Sequence, residues 1–139
     1  MHSHLTVCCG LVLLGCATAT PTTPEAGPKP EATLAWIQAN VFTKSCTASS
    51  CHSGSSGAGG LTLTDGSAFA ALVGVTATAK DKDGKPLLRV KAGDPDRSLL
   101  ALRLAGPYGA LDGMPPGLKL DQAKIDAVNA WILAGAPQK

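Results

Sequence analysis

Two cysteines, Cys46 and Cys51, stand either side of Thr47-Ala48-Ser49-Ser50, and His52 follows the second one directly. Whatever chemistry uses these three side chains fixes the path of the backbone between them, so this short span constrains the chain more than any other. Two cysteines five positions apart can close a disulfide loop, which would leave His52 a bystander. A covalent haem would use both thiols, each adding across one porphyrin vinyl group, with the adjacent imidazole held beneath the iron. A disulfide needs no His at the next position, whereas haem attachment gives that His a task. The spacer is four residues where two are usual, so its extra length must bulge away from the ring; Ala48, Ser49 and Ser50 are small enough to do so.

The compartment bears on that choice. Leu5 to Gly15 is an apolar run of signal-peptide length, well short of the roughly 20 residues a spanning helix needs. It ends in Leu13-Leu14-Gly15-Cys16, which resembles the lipobox of bacterial lipoproteins. Residues 1–15 are therefore expected to be a signal peptide and Cys16 an acylated mature N-terminus, although the leader carries His2 and His4 with no Lys or Arg. A cleaved secretory signal with a soluble product is the plainer alternative. On either reading the chain is exported, facing a periplasm or the cell surface, where thiols are oxidised or derivatised. Residues 16–30 are rich in Pro, Thr and Ala without apolar periodicity, the composition of an extended tether.

Once the leader is set aside, the chain holds one histidine, His52, and one methionine, Met114. Two thiols and one imidazole fall short of the four ligands zinc usually takes. His52 and Met114 do cover the two axial positions of a haem iron. Met114 lies in Gly113-Met114-Pro115-Pro116-Gly117, where the prolines stiffen the backbone and push Met114 toward an extended conformation. Packing as an adaptable core filler is the ordinary alternative for a methionine.

The remaining pattern, over residues 31–139, reads as one all-α domain of about four short helices. Leu34, Ile37 and Val41 recur at helical spacing from Glu31 to about Lys44, running straight into Cys46. Ser53 to Gly60 is a Gly/Ser loop without the context of a phosphate site. Asp65 or Ser67 could cap a helix over Ala68 to Val73, and the polar stretch from Ala79 to Pro86 has a turn-forming Asp83-Gly84 pair. Asp94-Pro95 is placed to start a third helix carrying Leu99, Leu100, Leu102 and Leu104, ending near Gly106. Asp121 is expected to cap a last helix, with Leu120 and Ile125 as a hydrophobic staple and a stop at Gly135. Leu87 to Val90 is the one candidate strand. Five aromatics, Trp36, Phe42, Phe69, Tyr108 and Trp131, leave a core of small side chains that a large apolar prosthetic group would help to fill.

The segments VFTKSCTASSCH, GGLTL, ALVGV, RVKAGDPDRSLLALRL, GMPPG and AVNAWILAGA, in this order, resemble the small bacterial mono-haem cytochrome c domains of exported and lipid-anchored proteins. The resemblance spans roughly Trp36 to Pro137. It implies a cytochrome c-like helical bundle around one haem, the first and last helices packed together. It also implies haem c on Cys46, Cys51 and His52 with Met114 opposite, and electron exchange with redox partner proteins.

Charge excludes other classes. The 12 basic and 10 acidic side chains, net +2, are scattered without a basic stripe, so nucleic acid is not an expected partner. Dispersed carboxylates and a single His give no acid–base–nucleophile constellation for a hydrolase. An electron carrier, not an enzyme, is therefore expected; peroxidase-like chemistry would require Met114 off the iron, and a haem-free, disulfide-stapled surface binding module is the remaining alternative. Asp94, Pro95 and Ser98 have helix-capping explanations. Arg89, Lys91 and Arg97 could approach haem propionates, but are expected as solvated surface charges.

Overall fold

A computed structural model describes residues 30–55 and 57–139. The expected signal peptide, Cys16 and the expected tether up to residue 29 lie outside the described residues. No helix among the described residues is long and apolar enough to cross a membrane.

The first helix starts at Thr33, whose hydroxyl accepts the Trp36 amide at 3.2 Å and satisfies one of the donors a helix start leaves free. Leu34–Ile37 is α-helical, Gln38–Phe42 widens into a π-turn, and Thr43–Ser45 returns to α geometry; residues 34–45 are called α1. Glu31 lies before the helix, three residues earlier than its first turn. Of the residues at helical spacing, Ile37 and Val41 are fully buried and Leu34 partly; Phe42 is buried as well, and the widened turn also carries Gln38 inside. Helix α2, Ala68–Leu72, follows Ser67, but neither expected cap acts. The Ser67 side chain makes no cap bond, and Asp65 instead accepts the Gly66 amide.

The all-α expectation is wrong. Between α2 and the next helix the chain forms an antiparallel pair, β1 (Thr76–Lys80) and β2 (Pro86–Leu88), pairing Thr76 with Leu88 and Lys80 with Pro86 across an irregular register. The architecture is mixed α/β: about four helices and a two-stranded sheet. The connecting turn is built by Asp81, whose Oδ1 accepts the Asp83 and Lys85 amides at 3.0 and 2.8 Å. Those amides, the Lys85 one foremost, hold the Asp81 pKa below its ordinary value, with Arg97 adding to the effect. The expected strand Leu87 to Val90 is thus half right, and its partner β1 takes in only the first two residues, Ala79 and Lys80, of the supposed polar excursion.

After the sheet, Asp94 caps as anticipated, accepting the Arg97 amide at 3.2 Å, but it caps a short 3-10 turn, Pro95–Arg97, and not the expected third helix, which begins only beyond the extended Ser98. Helix α3 follows at Leu99–Ala105, and helix α4 spans Gln122–Leu133. Asp121 precedes α4 but makes no capping bond; its carboxylate pairs with Lys124 at 3.0 Å instead. Leu120 and Ile125 are both buried there. Leu34–Ile37 contacts α4, and α3 packs on it as well. Trp131 is completely enclosed, its indole N–H donating to the Pro137 carbonyl at 2.8 Å.

Ser98 is a buried polar knot at the foot of α3. Its Oγ accepts the Lys91 amide at 2.8 Å and donates to the Asp94 carbonyl at 2.8 Å. Ser98→Ala strands both groups in an enclosed position, and should lower unfolding stability by about 1–3 kcal/mol in chemical denaturation. An unchanged midpoint would contradict this bonding.

Candidate functional site

Helix α1 delivers Cys46 at its end, where the Cys46 amide still bonds to the Phe42 carbonyl at 2.8 Å. The chain then turns out through the spacer. Ala48, Ser49 and Ser50 are exposed, and the Cys51 amide closes back on the Ala48 carbonyl at 2.8 Å. The His52 amide reaches across the whole spacer to the Cys46 carbonyl at 2.9 Å. The ends of the motif are therefore adjacent, and the four-residue spacer is accommodated by extrusion, as the small residues in it predict.

Further contacts fix this loop. The His52 carbonyl accepts the Leu63 amide at 2.8 Å, and the Leu63 carbonyl accepts the buried Gln38 amide group at 3.0 Å. The π-turn of α1 is thus tied to the residue that holds His52. The Ala58 amide bonds to the Cys51 carbonyl at 2.8 Å, drawing the glycine-rich segment under the motif. Gly57 is buried there, and a Cβ on it would stand 2.2 Å from the Leu61 carbonyl oxygen and 3.3 Å from the His52 Cα. Finally, Arg89 donates to the carbonyls of Ala71, Gly59 and Gly60 at 3.0, 3.2 and 3.1 Å.

Arg89 is accordingly a clamp between α2 and the 57–60 segment, and not a solvated charge. Lys91 pairs with Asp94 at 2.7 Å, and Arg97 with Asp81 at 3.4 Å. Gln38 and Gly57 carry no site reading in the sequence, and Arg89, weighed there against a propionate contact, is expected as a solvated surface charge. A polar residue on the apolar face of α1 was the available signal for Gln38; the partners of Arg89 are 18 to 30 residues away and leave no local trace.

Both cysteines are free thiols and half-buried. Burial, with the Cys51 thiol close enough to add to it, pushes the Cys46 pKa up to about 11. Cys46 is thus a neutral thiol near pH 7, packed against the core, and ill suited to thiolate nucleophilic chemistry. The His52 Nδ1 is buried with no hydrogen-bond partner. An enclosed imidazole nitrogen left this way costs about 1–3 kcal/mol, a cost that a bound group taken up at that nitrogen would remove.

Met114 arrives from a separate loop. Its amide donates to the Arg103 carbonyl at 2.8 Å, tying the loop to the end of α3, and its side chain packs on the same core as Cys46. Met114 also lines an open groove of about 550 Å³ with Arg103, Leu104, Pro107, Asp112 and Lys119. That volume lies within the roughly 300–1,000 Å³ of small-molecule sites. The structure thus gathers Cys46, Cys51 and His52 into one turn, and sets Met114 on the shared core beside a groove whose walls do not include those three. Two free thiols, an unpartnered imidazole and a thioether at a cavity are a donor set that fits a c-type haem. Among the described residues no group of three or more His, Cys, Asp or Glu is arranged to hold a metal ion, and a His/Met pair completed by porphyrin nitrogens asks for none.

Comparison of the chain with protein-family models, curated proteins and solved structures found no match.

Gly57→Ala tests the closure of the loop directly. The 2.2 Å approach to a backbone oxygen cannot be relieved by a rotamer change, so the variant should lose about 1–3 kcal/mol of stability. Wild-type stability in denaturant would mean that the segment does not close over His52.

Proposed function

We propose that this chain is a mono-haem c-type cytochrome that carries electrons, with haem held through Cys46 and Cys51, His52 as one axial ligand and Met114 as the other. The reading rests on the site and not on a fold class, since one fold serves many functions and one chemistry recurs on many folds. The observation that carries it is His52, whose backbone is pinned to that of Cys46 in a turn with two free thiols and whose imidazole keeps an enclosed nitrogen, Nδ1, that no protein group satisfies. When bound, the haem would supply a one-electron iron couple.

The protein residues have separate tasks in this reading. Cys46 and Cys51 would fix the porphyrin covalently, so that ligand strength alone need not retain it. His52, stapled through both its amide and its carbonyl, would keep its position in either oxidation state. Met114 would contribute a neutral sulfur from a loop stiffened by two prolines and anchored to Arg103. A thioether opposite an imidazole favours the reduced state more than a second imidazole does, which suits a carrier of fairly high potential. The proposed address is outside the cytoplasm, anchored to a membrane through acylated Cys16, with other redox proteins as partners and no nucleic acid.

The test is to express the full chain with a cytochrome c maturation system and stain for haem after denaturing electrophoresis. A stained band with a low-spin spectrum is expected, and Cys51→Ala should weaken it. A colourless protein two hydrogens lighter than the dithiol chain would be the disulfide-stapled module, and would sink the proposal. Met114→Ala should retain the stain while opening the iron to added ligands such as cyanide. A variant spectrum identical to wild type would remove Met114 from the iron. A wild-type iron already open to ligands would point to peroxidase-like chemistry instead.

A further inference from the structure

The groove that carries Met114 also carries an arginine with work left undone. Arg103 donates through Nε to the Asp112 carbonyl at 2.8 Å, which fixes the plane of its guanidinium. Its Nη1 and Nη2 have no partner among the described residues, and the Asp112 carboxylate on the same wall makes no ion pair with it. The other arginines are engaged: Arg89 by three carbonyls and Arg97 by Asp81. A guanidinium held by one nitrogen, with its paired terminal donors free on a cavity wall, matches a carboxylate in its planar, two-point geometry. Lys119 adds a second cation to the groove, and Leu104, Pro107 and Met114 supply an apolar wall.

We propose that Arg103 binds a propionate carboxylate of the haem, making this groove the acidic edge of the cofactor site; this rests on the haem reading above. Arg89, Lys91 and Arg97, expected from the sequence as surface charges and only alternatively as propionate contacts, all have other partners in the structure. Arg103 joins two tasks in one residue: its main-chain carbonyl holds the Met114 amide, and its side chain addresses the carboxylate. A side-chain substitution leaves the carbonyl in place, so the two tasks can be separated.

The experiment uses the haem-loaded full chain from the maturation system, as wild type, Arg103→Gln and Arg103→Lys. Each is treated with a water-soluble carbodiimide and an amine, and the haem-bearing peptide is weighed to follow amidation of the propionates. Resonance Raman spectra of the propionate bending bands give a second readout. Wild type should show one propionate protected, Arg103→Gln should expose it about tenfold, the loss of one charge-assisted contact, and Arg103→Lys should restore part of the protection. Met114 ligation should persist in all three. Equal amidation and unshifted bands in wild type and Arg103→Gln would overturn the role of Arg103 while leaving the haem reading intact. An unstained wild type would overturn the haem reading and this inference with it. Should Arg103→Gln fail to load, Arg103→Lys decides: partial protection supports the contact, and full exposure overturns it.

Discussion

The bond from the His52 amide to the Cys46 carbonyl is the constraint on which the site depends. It joins the two ends of a span whose middle is free to protrude, so the backbones of Cys46 and of His52, six residues later, meet despite the longer spacer. A second bond, from the Leu63 amide to the His52 carbonyl, holds the same residue from the other side. With both its amide and its carbonyl engaged, His52 has little backbone freedom left, which is what a ligand held to within about 0.5 Å requires. The π-turn extends the chain of support inward: by widening the helix it buries Gln38, whose side chain grips Leu63.

The sequence was most informative where one residue type decides the chemistry or the local geometry. Cysteine, histidine and methionine are so few after the leader that type and adjacency name the candidate ligands. Asp94 before Pro95 caps as expected because both bonding partners lie within three residues. Legibility fails where partners are distant or where small residues blur the pattern. In β1, Thr-Ala-Thr-Ala-Lys buries only Ala77, and one alanine gives almost no periodic signal. Asp121 sits in the right place for a cap, yet Lys124 one turn on offers a full charge, and the carboxylate takes that partner. Both outcomes obey the same local rules; the sequence does not say which wins.

The charged residues divide in a way no spacing reveals. Arg89 spends its donors on three carbonyls, so its charge serves as mortar between α2 and the 57–60 segment. Lys91, Arg97 and Lys124 meet carboxylates that are themselves part of turns or helix starts. These exposed or half-exposed pairs are worth little individually, and their value lies in fixing local geometry. Arg103 differs from Arg89 in keeping its terminal donors free of protein partners, and nothing in the sequence separates the two in that way.

The hairpin that overturns the all-α expectation is also what steadies the candidate site. Arg89 follows β2 directly, and its amide bonds to the Val75 carbonyl at 2.7 Å, just before β1. The sheet therefore sets where the Arg89 guanidinium can reach. That guanidinium holds Gly59 and Gly60, which keeps Gly57 pressed against Leu61 and the His52 backbone. Glycine has no side chain to pack, so the loop is braced by hydrogen bonds from a neighbouring side chain. Two short strands supply a rigid base for one long polar side chain, and that side chain braces by hydrogen bonds what burial could not. The mixed architecture is thus the means by which a loop of small residues holds a fixed shape around His52.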